Sequence, residues 1–90
     1  MLINKSISNI KAVKVLKDVF KLHGKALTIL RVSNDLKQVE IAKTLDVTAA
    51  HISQCEKSKR KLSEIQTKKF IELIGSNEEE AKAFVQVIGN

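Results

Sequence analysis

The side chains equipped for chemistry crowd between Gln38 and Lys61. They include the hydroxyls of Thr48 and Ser53, the amide of Gln54, His51, the chain's one thiol at Cys55, and the carboxylate of Glu56. The basic run Lys57, Lys59, Arg60 and Lys61 follows at once. The stretch reads as two short helices joined by a tight turn. A helix pair of this size with a basic exit loop suits the DNA major groove and the phosphates beside it. Catalysis finds little support, because there is no P-loop, no glycine-rich cradle, and no Ser/His/Asp or paired-carboxylate set. His51 and Cys55 stand four apart, a metal-ligand spacing on a helix, but two histidines and one cysteine leave a site short of ligands. Neither an enzyme nor a bound metal or cofactor is expected.

The elements that must position these residues are helices. Ninety residues suffice for one domain with an extra terminal helix, and for a modest core. Apolar content is 43%, there is no Pro, Trp or Tyr, and three glycines are too few for the turns of a multi-stranded sheet. An all-α fold follows. The formal charge is +6, unevenly spread: residues 1–69 hold 15 basic against 6 acidic side chains, and residues 70–90 hold 1 against 4. A basic body with an acidic tail fits a polyanionic partner, although a lysine-rich solvated face would give the same totals. A single cysteine fits a reducing compartment. No apolar run approaches the roughly 20 residues of a membrane span, and no secretory signal is evident. A cytoplasmic protein with no membrane partner is therefore expected.

Six helices are predicted. Ile7, Ile10, Val13, Leu16 and Phe20 recur at three and four, an amphipathic helix from Ser6 to Leu22 that Gly24 would stop. A second runs from Lys25 to Ser33, burying Leu27, Leu30 and Ile29, and ends at Asn34-Asp35. A third, Gln38 to Leu45, turns Ile41, Ala42 and Leu45 inward. Asp46-Val47 makes the turn, and Thr48 caps a fourth helix reaching Lys57, with Ile52 and Cys55 inward. Ser63 and Gln66 form a capping box for a fifth helix, which buries Ile65, Phe70, Leu73 and Ile74 and stops at Gly75. Ser76 and Glu79 repeat the box for a sixth, Asn77 to Ile88, apolar at Ala81, Phe84, Val85 and Ile88.

The middle of this series meets the demands of a helix-turn-helix. Ala42 is small where two helices cross, and Asp46 accepts left-handed geometry better than most non-glycine residues. Ile41, Leu45, Val47, Ile52 and Cys55 give both helices one core, which leaves Ala49, Ala50, Ser53, Gln54 and Lys57 facing outward.

Residues 23–75 thereby resemble the DNA-binding domain of the phage repressor and Cro (XRE-type) family. Arg31 lies seven residues before Gln38, Ile41-Ala42 follows, and Glu56 ends the recognition helix. Glu56 to Ser63, EKSKRKLS, is similar to the family's exit string E-x-G-x-x-x-P-S. The departures are Asp46 and Ser58 in place of glycine, Leu62 in place of proline, and Lys37 in place of a polar cap. The resemblance implies a compact five-helix lambda-repressor-like fold, with residues 1–22 as an N-terminal extra helix and residues 76–90 as a C-terminal helix that could serve dimerisation. It also implies roles. Thr48, Ala49, Ala50, Ser53 and Gln54 would face the major groove, Gln54 matching adenine N6/N7 and the alanine methyls thymine methyls. His51 would sit at the edge. Gln38 would hold a phosphate or brace a recognition-helix side chain, and Lys57, Lys59, Arg60 and Lys61 would bind backbone phosphates. Arg31 and Glu56 would form a structural ion pair.

The function so implied is a sequence-specific transcriptional regulator. It would act as a homodimeric repressor on a palindromic operator in double-stranded DNA, of the kind found in phage, plasmid, toxin–antitoxin or anti-CRISPR operons. A protein-interaction module is the alternative: an antitoxin whose terminal helix neutralises a partner protein, with DNA binding secondary. RNA binding through the same basic surface is a third reading.

Overall fold

Residues 19–89 are described in a computed structural model of the chain, and over them all regular structure is helical. Five helices follow one another: α1 (Gly24–Ser33), α2 (Gln38–Leu45), α3 (Ala49–Glu56), α4 (Glu64–Leu73) and α5 (Glu78–Ile88). α3 packs against both α1 and α2, α2 also meets α4, and α5 closes over α1 and α4.

The ends of these helices follow from local chemistry. Thr48 Oγ1 accepts from the His51 amide at 3.0 Å, satisfying a first-turn donor of α3. Ser63 and Gln66 exchange side-chain and backbone bonds at the start of α4, a complete capping box. At α2 the box is half formed: Glu40 reaches back to the Lys37 amide at 2.7 Å, since a lysine side chain has no acceptor to offer in return. α5 is capped by Asn77, which accepts from the Glu80 amide at 2.9 Å. This corrects the expected Ser76–Glu79 box; Ser76 Oγ instead donates to the Glu80 carboxylate at 2.8 Å. Among the described residues, three other than glycine take left-handed backbone: Asp35 after α1, Asp46 between α2 and α3, and Ser58 after α3.

The core joins Leu22, Ala26, Leu27, Ile41, Ala42, Leu45, Ile52, Cys55, Leu62 and Phe70. Fully burying each of the larger aliphatic or aromatic members contributes about 1.5–3 kcal/mol. Three inward assignments are corrected. Ile65 is 66% exposed and Leu73 40% exposed, while Thr67 and Ile71 are buried in their stead; Ile29 is exposed on α1. The inward stripe of α4 is therefore Thr67, Phe70, Ile71 and Ile74, spaced at three, four and seven.

The N-terminal helix needs correction as well. Residues 19–23 are non-helical, and the part of the expected helix before them lies outside the described residues. Gly24, expected to stop that helix, begins α1 with φ at +71°, a conformation that glycine adopts freely. Leu22 belongs to the core rather than to an appendage. Its amide donates to buried Thr67 Oγ1 at 3.0 Å, and its carbonyl accepts from the Leu62 amide at 3.0 Å. A proline at position 62 would have no N–H to give this second bond.

Candidate functional site

α3 and the loop after it form the candidate site, and two side chains from other places in the chain fix their position through Glu56. Arg31, on α1, meets Glu56 at the last turn of α3 with Nε–Oε2 at 2.5 Å and Nη2–Oε1 at 3.3 Å. Its Nη1 also donates to the Leu36 carbonyl at 2.9 Å, tying the α1–α2 connection into the same cluster. Gln38, at the start of α2, donates from Nε2 to Glu56 Oε1 at 3.0 Å. One carboxylate thus receives hydrogen bonds from two helices. The side chains of Arg31 and Glu56 are only 16% and 8% exposed, so the pair is largely, though not fully, shielded from water and from salt. Of the two roles implied for Gln38, the brace is the one its amide performs in this arrangement.

Held in this way, α3 turns a narrow face outward. Ala50, Gln54 and Lys57 are exposed and lie at intervals of four and three, one continuous stripe. Thr48 is exposed at the head of that helix, although its oxygen is engaged as the cap. Ala49, expected to face outward, packs half-buried against the core. Ser53 is also half-buried, on the flank. The His51 ring is half-buried, and its Nε2 is shut off from solvent without a hydrogen-bond partner among the described residues, which turns its tip inward. The outward surface of α3 is therefore narrower than the list of polar side chains suggests.

The basic loop continues this face. Lys57, Lys59, Arg60 and Lys61 are all exposed. The loop is not a loose tether: the Gln54 carbonyl accepts from the amides of Lys59 (2.9 Å) and Arg60 (3.3 Å), folding the chain back under the end of α3. Ser58 sits at the reversal with φ at +61°. Leu62, fully buried, anchors the far end. The result is a row of four cations fixed at both ends, beside the one exposed amide of α3.

Two contacts around the site had no signal in the sequence. His23 Nδ1 lies 3.0 Å from Ser58 Oγ, across 35 residues of chain, and burial together with Lys61 lowers the His23 pKa from its usual value. Arg31 reaches a backbone carbonyl, a partner that no residue type reveals. Beneath the site, Cys55 is completely buried, and burial pushes its thiol pKa up, with Glu56 adding to the effect and Arg60 opposing it. A buried, protonated thiol is a core group rather than a nucleophile. Among the described residues no three His, Cys, Asp or Glu side chains come together as a metal site, and no helix is long and apolar enough to cross a membrane.

No family model matches the chain, and no curated protein or solved structure matches it either.

Proposed function

We propose that the chain is a sequence-specific DNA-binding transcriptional regulator of lambda-repressor-like fold, acting as a homodimeric repressor on a palindromic operator. The observation that carries this reading is the continuity of one face. The stripe Ala50, Gln54 and Lys57 runs directly into the cations Lys59, Arg60 and Lys61, and the Arg31–Glu56–Gln38 cluster holds the helix beneath it. Base readout needs a helix presented rigidly at groove depth, and phosphate contacts need cations at fixed distances from it. Asp46 and Ser58 stand where the family usually has glycine, and both adopt the positive φ for which glycine serves. This supports the resemblance at two turns where the residue types depart from it.

In this reading Gln54 makes a bidentate contact to adenine, the Ala50 methyl packs on a thymine methyl, and Thr48 donates its remaining hydroxyl hydrogen. Lys57, Lys59, Arg60 and Lys61 neutralise phosphates and set the register. One domain reads only a few base pairs, so two copies spaced about 34 Å apart on a palindrome supply the discrimination. Occlusion of a promoter then suffices for repression.

Selection from a random duplex library tests this, with an Ala50→Glu/Gln54→Ala variant in parallel. Position 50 is the one to charge, because Ala49 packs against the core and a carboxylate there would disturb folding. The expected outcome is a palindromic motif enriched by the wild type and lost by the variant. Enrichment of nothing beyond a salt-sensitive background would sink sequence-specific readout, and would direct the search to RNA or to partner proteins.

A further inference from the structure

His23 precedes α1 by one residue and lies outside the helix pair, yet it touches the loop that carries the cations. Its Nδ1 is 3.0 Å from Ser58 Oγ, and Ser58 is the left-handed residue at which the loop reverses. The Leu22–Leu62 backbone bond lies immediately beside this contact, so the residues 22–23 grip the loop at its bend and at its end. Lys61 comes from the loop and raises the local potential. On the Ser58 side of this contact, Lys57 and Glu56 from the end of α3 and Lys25 from the first turn of α1, with Gly24 and Gly89, line an open cleft of about 300 Å³. Among the described residues that line the cleft, two lysines stand against one carboxylate, which Arg31 and Gln38 already engage.

We propose that His23 is a positioning residue of the polyanion-binding surface that takes up a proton when the basic loop meets phosphates, so that nucleic-acid affinity rises as pH falls. The inference rests on the reading of that loop as a phosphate-contacting element. The hydrogen bond survives the change of charge. A neutral imidazole can accept the Ser58 hydroxyl hydrogen at Nδ1, and an imidazolium donates from Nδ1 to the same oxygen once the hydroxyl rotates. Loop geometry is therefore kept while one positive charge is added beneath it.

The direction follows from linkage. In the free protein, burial and Lys61 favour the neutral form of His23. Phosphates at Lys57, Lys59, Arg60 and Lys61 offset that positive potential and favour the imidazolium, raising the pKa in the complex. The complex then binds more protons than the free protein between the two values. Affinity increases as pH falls through the upper value and levels off below the lower one, with a limiting slope of about tenfold per pH unit for one proton.

The test is the titration of the His23 ring proton by NMR in the full chain, free and with duplex DNA, together with duplex affinity from pH 5.5 to 8 for the wild type and His23→Gln. Glutamine can still hydrogen-bond Ser58 but cannot titrate. The expected result is a His23 midpoint that moves up on adding duplex, and an affinity slope that disappears in His23→Gln. If duplex is bound and the His23 midpoint stays where it was, this inference is overturned and the reading of the loop survives. If no duplex is bound even at low salt, the reading of the loop falls and takes the inference with it. The ring titration is read on the wild type, so the test does not depend on the variant folding.

Discussion

The cluster at Glu56 supports a prediction that can be worked through quantitatively. Replacing Glu56 by Met would leave the Arg31 guanidinium, 16% exposed, with only the Leu36 carbonyl as partner. Replacing Arg31 by Met would leave the Glu56 carboxylate, 8% exposed, with only the Gln38 amide. Breaking a fully buried pair by removing one partner costs about 3–5 kcal/mol. Both groups here retain some access to water, which brings the expectation for each single variant down to about 2–3 kcal/mol. The double variant strands neither charge and fills the space with apolar side chains. It should also lose only about 2–3 kcal/mol rather than the sum, a coupling energy of about 2–3 kcal/mol. A chain of this size has a total stability on the order of 5–13 kcal/mol, so each single change is large.

The chain has no Trp or Tyr, so urea unfolding should be followed by far-ultraviolet circular dichroism, in which five helices give ample signal. In thermal unfolding each single variant should lose roughly 10–20 °C of Tm. Additivity of the two single losses to within about 0.5 kcal/mol would refute the reasoning, because independent sites add and coupled ones do not. It would mean that each side chain stabilises the fold without its partner.

Three further outcomes are expected. Thr67→Val preserves shape but removes the acceptor of the buried Leu22 amide, and should cost about 1–3 kcal/mol in urea unfolding, whereas Thr67→Ser should keep the bond; an unaffected Val variant would show that the amide finds another partner. Asp46 has φ at +59°, so Asp46→Gly should be at least as stable as the wild type, and Asp46→Val should be less stable by roughly 1–2 kcal/mol; the reverse order in Tm would contradict the left-handed turn. Cys55 should react with a thiol reagent at pH 8 at least about a thousandfold more slowly in the native protein than in urea, because the buried thiol is exposed only by opening; comparable rates would place it at the surface.

Much of the candidate site was legible because its signals are local. The limits of α2, the Thr48 cap, the Asp46 turn and the Ser63–Gln66 box all arise from groups within four residues of one another. Such bonds form whenever the chain becomes helical, and residue type reveals them. The exposure of Lys57, Lys59, Arg60 and Lys61 was legible for a similar reason, since four neighbouring cations resist burial together. The Arg31–Glu56 pair spans 25 residues, and it was expected only from the family resemblance, since neither its spacing nor its residue types would have located it.

The tertiary structure decided which face of each helix is covered. On α4 the apolar residues Ile65, Phe70, Leu73 and Ile74 suggest one inward stripe, but the helix is turned so that Thr67 and Ile71 enter the core and Ile65 is exposed. A threonine reads as polar in sequence; here its hydroxyl oxygen accepts from the Leu22 amide, which offsets the cost of burying it. Ala49 was turned inward and the His51 tip buried by the way α3 packs against α1 and α2, which narrowed the outward face to Ala50, Gln54 and Lys57. Leu22 joined the core as non-helical chain because bonds to Leu62 and Thr67, 40 and 45 residues away, replaced those a helix would have supplied. Local sequence determined where helices begin and end, because hydrogen bonds within one turn are indifferent to what lies beyond it. Facing, burial and the grip of His23 on the loop depend on groups distant in the chain, and only their packing brings those groups within reach.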